Sequence, residues 1–176
     1  MINAFSDKAI KAFGSKKIKV YVFLSFCLLV CLSACNNNAN RSSIPLAPVQ
    51  IRLNLQHYPH LSAPFSTEYF TEANTGIGVW AVGFGGVLIS TFMDFNSANV
   101  SFAAFDMACP YEIDRNIRVF PENNNVFAVC EECGSRFDLS LGLGQVTKGP
   151  ARENLRRFNA FREGMFYLRV IPRNDL

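Results

Sequence analysis

Hydrophobic and polar residues alternate along the chain from residue 48 onward, a pattern typical of β-strands that bury one face. Val49, Ile51, Leu53 and Leu55 alternate with polar residues, so a half-buried strand is predicted there. Shorter apolar runs bounded by turn residues predict further strands. These runs lie at residues 68–71, 87–89, 100–105 and 136–139. No helix longer than one or two turns is predicted.

Two hairpins are predicted from turn signals that separate apolar runs. Residues 118–120 and 126–129 flank the segment Pro-Glu-Asn-Asn-Asn, a strong turn signal. Residues 158–161 and 166–171 flank Arg-Glu-Gly in the same way. Many short strands spaced roughly 8–12 residues apart are typical of a sandwich or a small barrel. We therefore expect an all-β fold, an antiparallel sandwich, from residue 48 to residue 176.

A glycine-dense segment at residues 76–86 precedes the apolar run Val87-Leu88-Ile89. Glycine at this density within β-like sequence indicates bulges, tight turns or close backbone approach. It is not a dinucleotide-binding fingerprint, because such a glycine turn must open a helix and no helical pattern follows.

The first 35 residues have the layout of a bacterial lipoprotein leader. Five lysines within residues 1–19 are followed by an uncharged apolar run at 20–32, which is too short to span a membrane. Leu-Ser-Ala-Cys at 32–35 resembles the bacterial lipobox. This resemblance implies a signal peptide at 1–34, a lipidated Cys35 and a flexible tether at 35–47. The alternatives are an uncleaved anchor and an ordinary secretory signal cut near Ala34.

The predicted location is the cell envelope, with the domain held on a membrane by lipid. Asn36 differs from the aspartate that retains lipoproteins at the inner membrane, which favours the outer membrane. Without the leader, the chain keeps 12 of its 17 basic and 13 of its 14 acidic residues. Its net charge is then close to −1, which argues against nucleic acid as a partner.

Three of the six cysteines remain once the leader is set aside: Cys109, Cys130 and Cys133. An odd number in an oxidising compartment argues against a disulfide scaffold. A shared metal or cluster site would use all three, and a vestigial site is the competing interpretation.

The cysteines lie within motifs that resemble the cluster-binding half of a Rieske iron–sulfur domain. The matching segments are CPY at 109–111, CEEC at 130–133, GSRFD at 134–138 and GPA at 149–151. The family pattern is C-x-H on one loop and C-x-x-H on another, so Tyr111 and Cys133 stand where histidines are expected. The resemblance implies a Rieske-like sandwich with a small cluster-binding subdomain. It also implies that Gly149, Pro150 and Ala151 form the turn that covers the cluster.

Three chemistries are open for this site. A [2Fe–2S] cluster would use the three cysteines with an oxygen ligand from Tyr111 or Glu112, at a lower potential than a histidine-ligated centre. A zinc ion would use the three thiolates and one further donor. An empty site would leave the fold intact, with a Cys130–Cys133 or a Cys109–Cys133 disulfide.

No enzyme activity is predicted, because no histidine-based triad or carboxylate pair is evident. The two histidines, His57 and His60, lie in one upstream loop and are expected on the surface. The first functional hypothesis is a membrane-tethered single-electron carrier that serves an unidentified redox protein of the envelope. The second is a non-redox structural or binding module with a vestigial or zinc-occupied site.

Overall fold

The structure, a computed structural model, describes residues 42–173, which belong to one compact unit. The predicted signal peptide, the lipidation site Cys35 and the first part of the predicted tether lie outside the described residues. None of the helices within residues 42–173 has the length and apolar character needed to cross a membrane.

Eleven β-strands and two short 3-10 helices make up the described part of the chain. The strands are β1 Val49–Asn54, β2 Thr67–Phe70, β3 Val79–Val82, β4 Val87–Asp94, β5 Asn99–Asp106, β6 Val119–Pro121, β7 Phe127–Cys130, β8 Arg136–Asp138, β9 Gln145–Lys148, β10 Arg157–Glu163 and β11 Tyr167–Ile171. The 3-10 helices are Leu55–His57 and Pro59–Ser62. The first takes up Leu55, which was expected to end the first strand, and the second lies in the predicted loop that carries the histidines. The all-β class is therefore confirmed.

Seven strands form one antiparallel, nearly closed sheet in the order β2-β4-β5-β10-β11-β1-β3. Its longest pairing is the β4–β5 hairpin, in register from Val87 opposite Asp106 to Asp94 opposite Asn99. Strand β1 has the burial alternation that its sequence predicts, with Val49, Ile51 and Leu53 inside. The sheet is antiparallel as expected, whereas the Rieske-like sandwich stays a prediction.

Two hydrophobic cores lie on opposite faces of β4 and β5. The first fills the nearly closed sheet and includes Ile51, Ile89 and Leu168. The second includes Leu88 and Phe105, whose side chains point away from the first core. Both strands are thus buried on two faces, which explains why their sequences are nearly continuous apolar runs.

The second core is closed on its other side by a small four-stranded sheet in the order β6-β7-β8-β9. Its inner face contributes Val119, Ala128 and Phe137. The predicted hairpin over residues 121–125 is present as β6 paired with β7. Strand β9 was not predicted, because Gln145–Lys148 contains a single apolar residue and so has no hydrophobic pattern. That residue, Val146, is the only one of the four that is partly buried. Cys109, Cys130 and Cys133 all belong to this second core.

The glycine-dense segment packs around a buried carboxylate at the end of β5. Asp106 is 1% exposed and accepts backbone N–H groups from Phe84 at 2.7 Å, Gly85 at 2.9 Å and Ala108 at 2.9 Å. A Cβ at residue 85 would lie 2.5 Å from the backbone nitrogen of Ala108. Glycine is therefore required for close backbone approach, as predicted, and this contact fixes the strand end that leads into Cys109.

Residues 43 and 44, which the sequence assigned to the tether, pack against the domain. Ile44 is 1% exposed, and its carbonyl accepts a hydrogen bond from Arg156 at 2.5 Å. The N–H and the hydroxyl of Ser43 lie 2.8 Å and 2.9 Å from the Glu153 carboxylate, and the hydroxyl is also 3.2 Å from the carbonyl of Pro110. The packed part of the chain therefore starts before residue 48, and it starts beside the loop that carries Cys109.

Candidate metal centre

The three cysteines of the domain converge on one point. The Sγ atoms of Cys109, Cys130 and Cys133 all lie within 4.8 Å of one another, although Cys109 is more than 20 residues from the other two. The Sγ atoms of Cys109 and Cys133 are 3.6 Å apart. All three are free thiols, with Cys109 and Cys130 buried and Cys133 partly exposed. Such a group can hold a metal ion.

The loop after β5 aims backbone N–H groups at the first sulfur. The N–H of Cys109 donates to Ile117 at 3.0 Å, and the carbonyl of Cys109 accepts from Ile113 at 2.9 Å. The N–H groups of Tyr111 and Glu112 then donate to the Cys109 sulfur. Despite these donors, burial raises the pKa of Cys109 to about 12, and the two neighbouring thiols add to the effect. The unligated sulfur is therefore a neutral thiol at neutral pH.

A tight turn between β7 and β8 presents the other two sulfurs. The N–H of Gly134 donates to the carbonyl of Cys130 at 2.9 Å, and the N–H of Cys130 donates to Ser135 at 2.9 Å. Gly134 has φ +71° with open space around it, so glycine closes the turn without strain. The buried β7 strand fixes Cys130, whereas Cys133 lies three residues along the exposed turn.

Ser135 connects Cys133 with the turn at Gly149, Pro150 and Ala151. The Ser135 hydroxyl is hydrogen-bonded to the Cys133 sulfur at 3.1 Å and accepts the Ala151 N–H at 3.0 Å. Because the hydroxyl oxygen accepts from Ala151, its own proton is free to point at a Cys133 thiolate. Partial burial opposes ionisation of Cys133, but the Ser135 donors and the neighbouring thiols outweigh it and lower the pKa of Cys133. Cys133 therefore ionises more readily than Cys109.

The Gly-Pro-Ala turn is closely packed on Ser135. A Cβ at residue 149 would lie 2.5 Å from the Ser135 Cα, and Gly149 has φ +95°. Ala151 is 6% exposed within the second core, whereas Gly149 and Pro150 are exposed. The turn thus covers the cysteine turn from one side through a contact that only glycine permits. The metal-shielding role expected of these three residues stays a prediction.

The fourth donor is not among the acidic and histidine side chains of residues 42–173. Within this range the group of potential ligands contains the three cysteines and no His, Asp or Glu. Tyr111 contributes its backbone N–H, and its side chain is 53% exposed. Its role as the fourth ligand stays a prediction. His60 lies 3.2 Å from Glu68, remote from the cysteines in the fold.

The sequence analysis did not identify Ser135, Ser43 or Ile44 as parts of the site. For Ser135 a signal was available, because the residue lies two positions after Cys133, where a hydroxyl readily reaches a preceding sulfur. No local signal identifies Ser43, because its partners Pro110 and Glu153 are 67 and 110 residues away.

The sulfur separation is compatible with a bound metal ion. A tetrahedral ion with metal–sulfur bonds of about 2.3 Å separates its sulfur ligands by about 3.8 Å. The 3.6 Å between the Cys109 and Cys133 sulfurs is close to this value.

No model of a known protein family matches the chain, and no curated protein is significantly similar to it.

Proposed function

We propose that this protein is a lipid-anchored protein of the bacterial cell envelope whose Rieske-like domain binds one thiophilic metal ion, with zinc as the first candidate. Cys109, Cys130 and Cys133 are its protein ligands. The fourth position is filled by Tyr111 or by water. The role is non-enzymatic. The ion links the loop after β5 to the turn after β7, so its chemistry is the structural cross-linking that closed zinc sites supply.

The observation that carries this proposal is the convergence of three sulfurs from two separate loops. Cys109 and Cys130 are buried and Cys133 is partly exposed, and three thiols cannot all pair as disulfides. Soft thiolates select zinc, Cu(I) and iron–sulfur clusters among biological metals. The Ser135 hydroxyl beside Cys133 stabilises that sulfur in its thiolate form, which is the form that binds metal.

The predicted lipid anchor rests on the leader at residues 1–34 and on Cys35 that follows it. The test is fractionation of cells that express Cys35→Ala, which we expect to release the protein from the membrane. Retention of this variant in the membrane fraction would refute the lipid anchor.

Metal analysis of the full-length protein tests the metal site. The protein is purified anaerobically in detergent, and its zinc, iron, copper and acid-labile sulfide are measured per chain. We expect about one zinc ion per chain, no visible absorption and no sulfide. Cys133→Ser should remove the ion, whereas Glu132→Gln, an exposed neighbour on the same turn, should leave it in place. Protein that holds no metal when reduced, or a Cys133→Ser variant that keeps its metal, would overturn the proposal.

A second candidate is the single-electron carrier with a [2Fe–2S] cluster. The placement of Cys109 and Cys130 on two loops that face each other, beneath a Gly-Pro-Ala turn, favours it. In that case the same preparation would be coloured and would contain about two irons and two sulfides per chain. Tyr111→Phe would then shift the potential, because it removes an anionic oxygen donor, whereas Tyr69→Phe would serve as the matched control.

A further inference from the structure

The two sulfurs in contact belong to cysteines that differ in their access to solvent. Cys109 and Cys133 have Sγ atoms 3.6 Å apart. Cys109 is 0% exposed, and Cys133 lies partly exposed on the turn at residues 131–133. An external reagent therefore reaches Cys133 first. The sulfur in direct contact with Cys133 for a second step is that of Cys109, while the Cys130 sulfur lies within 4.8 Å.

We propose that Cys109 and Cys133 form a redox pair whose oxidation to a disulfide expels the metal ion, so that the site alternates between a metal-bound pair of thiolates and a metal-free disulfide. This inference rests on the proposed metal site and names its regulation. The oxidant belongs to the class of external disulfides, such as those presented by the thiol oxidants of an envelope compartment.

The exchange is balanced in two steps. The Cys133 thiolate attacks one sulfur of the external disulfide, which forms a mixed disulfide and releases one external thiolate. The Cys109 sulfur then attacks the Cys133 sulfur, which forms the Cys109–Cys133 bond and releases the second external thiolate. In the metal-bound site both cysteines are thiolates, so the two released external thiolates take up two protons from solvent and the ion leaves as a free cation. The two cysteines are oxidised by two electrons, and the external disulfide is reduced by two.

Local structure allows the sulfurs to approach each other. They must move together by roughly 1.5 Å to reach the S–S bond length. Cys133 precedes Gly134, around which no atom lies within 4 Å of a hypothetical Cβ, and it follows two exposed glutamates. Cys130, by contrast, is paired with Val119 within the small sheet and is 0% exposed. Movement of the exposed turn thus closes the bond while Cys130 stays in place.

Oxidation of this pair removes two of three ligands. A disulfide sulfur carries no thiolate charge, and thiolate is the form that binds metal. Cys130 alone remains, which is too few donors for a tetrahedral ion. The spacing Cys-x-x-Cys by itself favours a bond between Cys130 and Cys133, as in thiol oxidoreductases. The structure and the spacing therefore predict different products.

Peptide mapping distinguishes these products, because glutamates separate all three cysteines in the sequence. Full-length protein in detergent is treated with oxidised glutathione, alkylated, and cleaved after glutamate. The cysteines then fall in separate peptides, 73–112, 123–131 and 133–153. We expect 73–112 linked to 133–153, and 123–131 alkylated at Cys130. A link between 123–131 and 133–153, or alkylation of all three cysteines, would overturn the assignment of the pair.

Metal content measured on the same samples tests the consequence. Oxidation should lower the bound metal at least about tenfold, and dithiothreitol with added zinc should restore it. Cys130→Ser is the matched variant, because it loses a metal ligand but should still form the Cys109–Cys133 disulfide. A disulfide that forms without loss of metal would refute the switch. Reduced protein that contains no metal would instead refute the proposed function. In that case the peptide map would still show whether Cys109 and Cys133 form the disulfide.

Discussion

Removal of the buried Asp106 carboxylate should cost a large part of the domain's stability. Its oxygens accept three backbone N–H groups, from Phe84, Gly85 and Ala108. Each buried donor left without an acceptor costs about 1–3 kcal/mol. Burial raises the pKa of Asp106, and this effect exceeds the lowering of the pKa by the three N–H donors and Arg156. Holding a charged carboxylate inside the domain therefore costs free energy, and the alanine substitution recovers part of that free energy. We expect Asp106→Ala to lose about 3–5 kcal/mol, comparable to breaking a buried ion pair.

Asp106→Asn provides a graded second perturbation. One carboxylate oxygen accepts from Gly85 and Ala108, and the other accepts from Phe84. An asparagine that keeps its carbonyl on the first side loses the Phe84 bond alone, so its cost should be about 1–3 kcal/mol. The control is Asp94→Ala at the opposite end of the β4–β5 pair. Its carboxylate also accepts a backbone N–H, from Asn96 at 2.9 Å, but it lies on the surface.

The assay is urea unfolding of the reduced, chelator-treated chain from residue 42, followed by far-UV circular dichroism. The midpoint should shift while the dependence on urea stays constant, since the exposed area is unchanged. The expected order of loss is Ala, then Asn, then the Asp94→Ala control. If Asp106→Ala loses no more free energy of unfolding than Asp94→Ala, Asp106 does not stabilise the domain by accepting these N–H groups. The same conclusion follows if Asp106→Asn loses as much as Asp106→Ala.

Three further predictions follow from the packing and the charges. Gly149→Ala should destabilise the domain and weaken metal binding at least tenfold. Gly164→Ala, also at positive φ but with open space around it, should lower the free energy of unfolding by only about 1–2 kcal/mol and leave metal binding unchanged. Equal effects of the two substitutions would exclude a role for the close contact between Gly149 and Ser135. Ile44→Ala should cost about 2–4 kcal/mol and Leu46→Ala, 80% exposed, almost nothing; equal urea midpoints would refute the packing of the N-terminal segment. Hydrogen bonds from two arginines lower the pKa of Glu163, so its contribution to stability is present above about pH 4.3 and is lost as the pH falls through the folded value. Urea titrations between pH 3 and 7 should therefore show a smaller acid loss in Glu163→Gln, and identical pH profiles would contradict this coupling.

The predicted elements agree with the structure where the information is local. The alternation of Val49, Ile51 and Leu53 fixes which face of β1 is buried, because successive side chains of a strand point to opposite faces. The asparagine-rich turn at 121–125 brings β6 and β7 together for an equally local reason. Strand β9 lacks such a signal, since its stability comes from pairing with β8 rather than from its own apolar pattern.

For the candidate site, the sequence identifies the cysteines and their turns. The motif spacing places Cys130 and Cys133 on one turn and Gly149 on a neighbouring one. The resemblance to a Rieske domain predicts that Cys109 joins them in one site, but it leaves open which two sulfurs are in contact. That choice depends on how the loop after β5 meets the turn after β7, and the 3.6 Å contact between their sulfurs is its result.

By itself the sequence thus determined the all-β class, the hairpins and the three thiols, because periodicity and turn chemistry act over a few residues. The tertiary structure alone decided the pairing of β1 with β11 and β3, the packing of Ile44, and the contact between the Cys109 and Cys133 sulfurs. These features join segments far apart in the chain. They are selected by the burial of two shared cores and by the glycine-permitted approach at Gly85 and Gly149, and no local pattern encodes them.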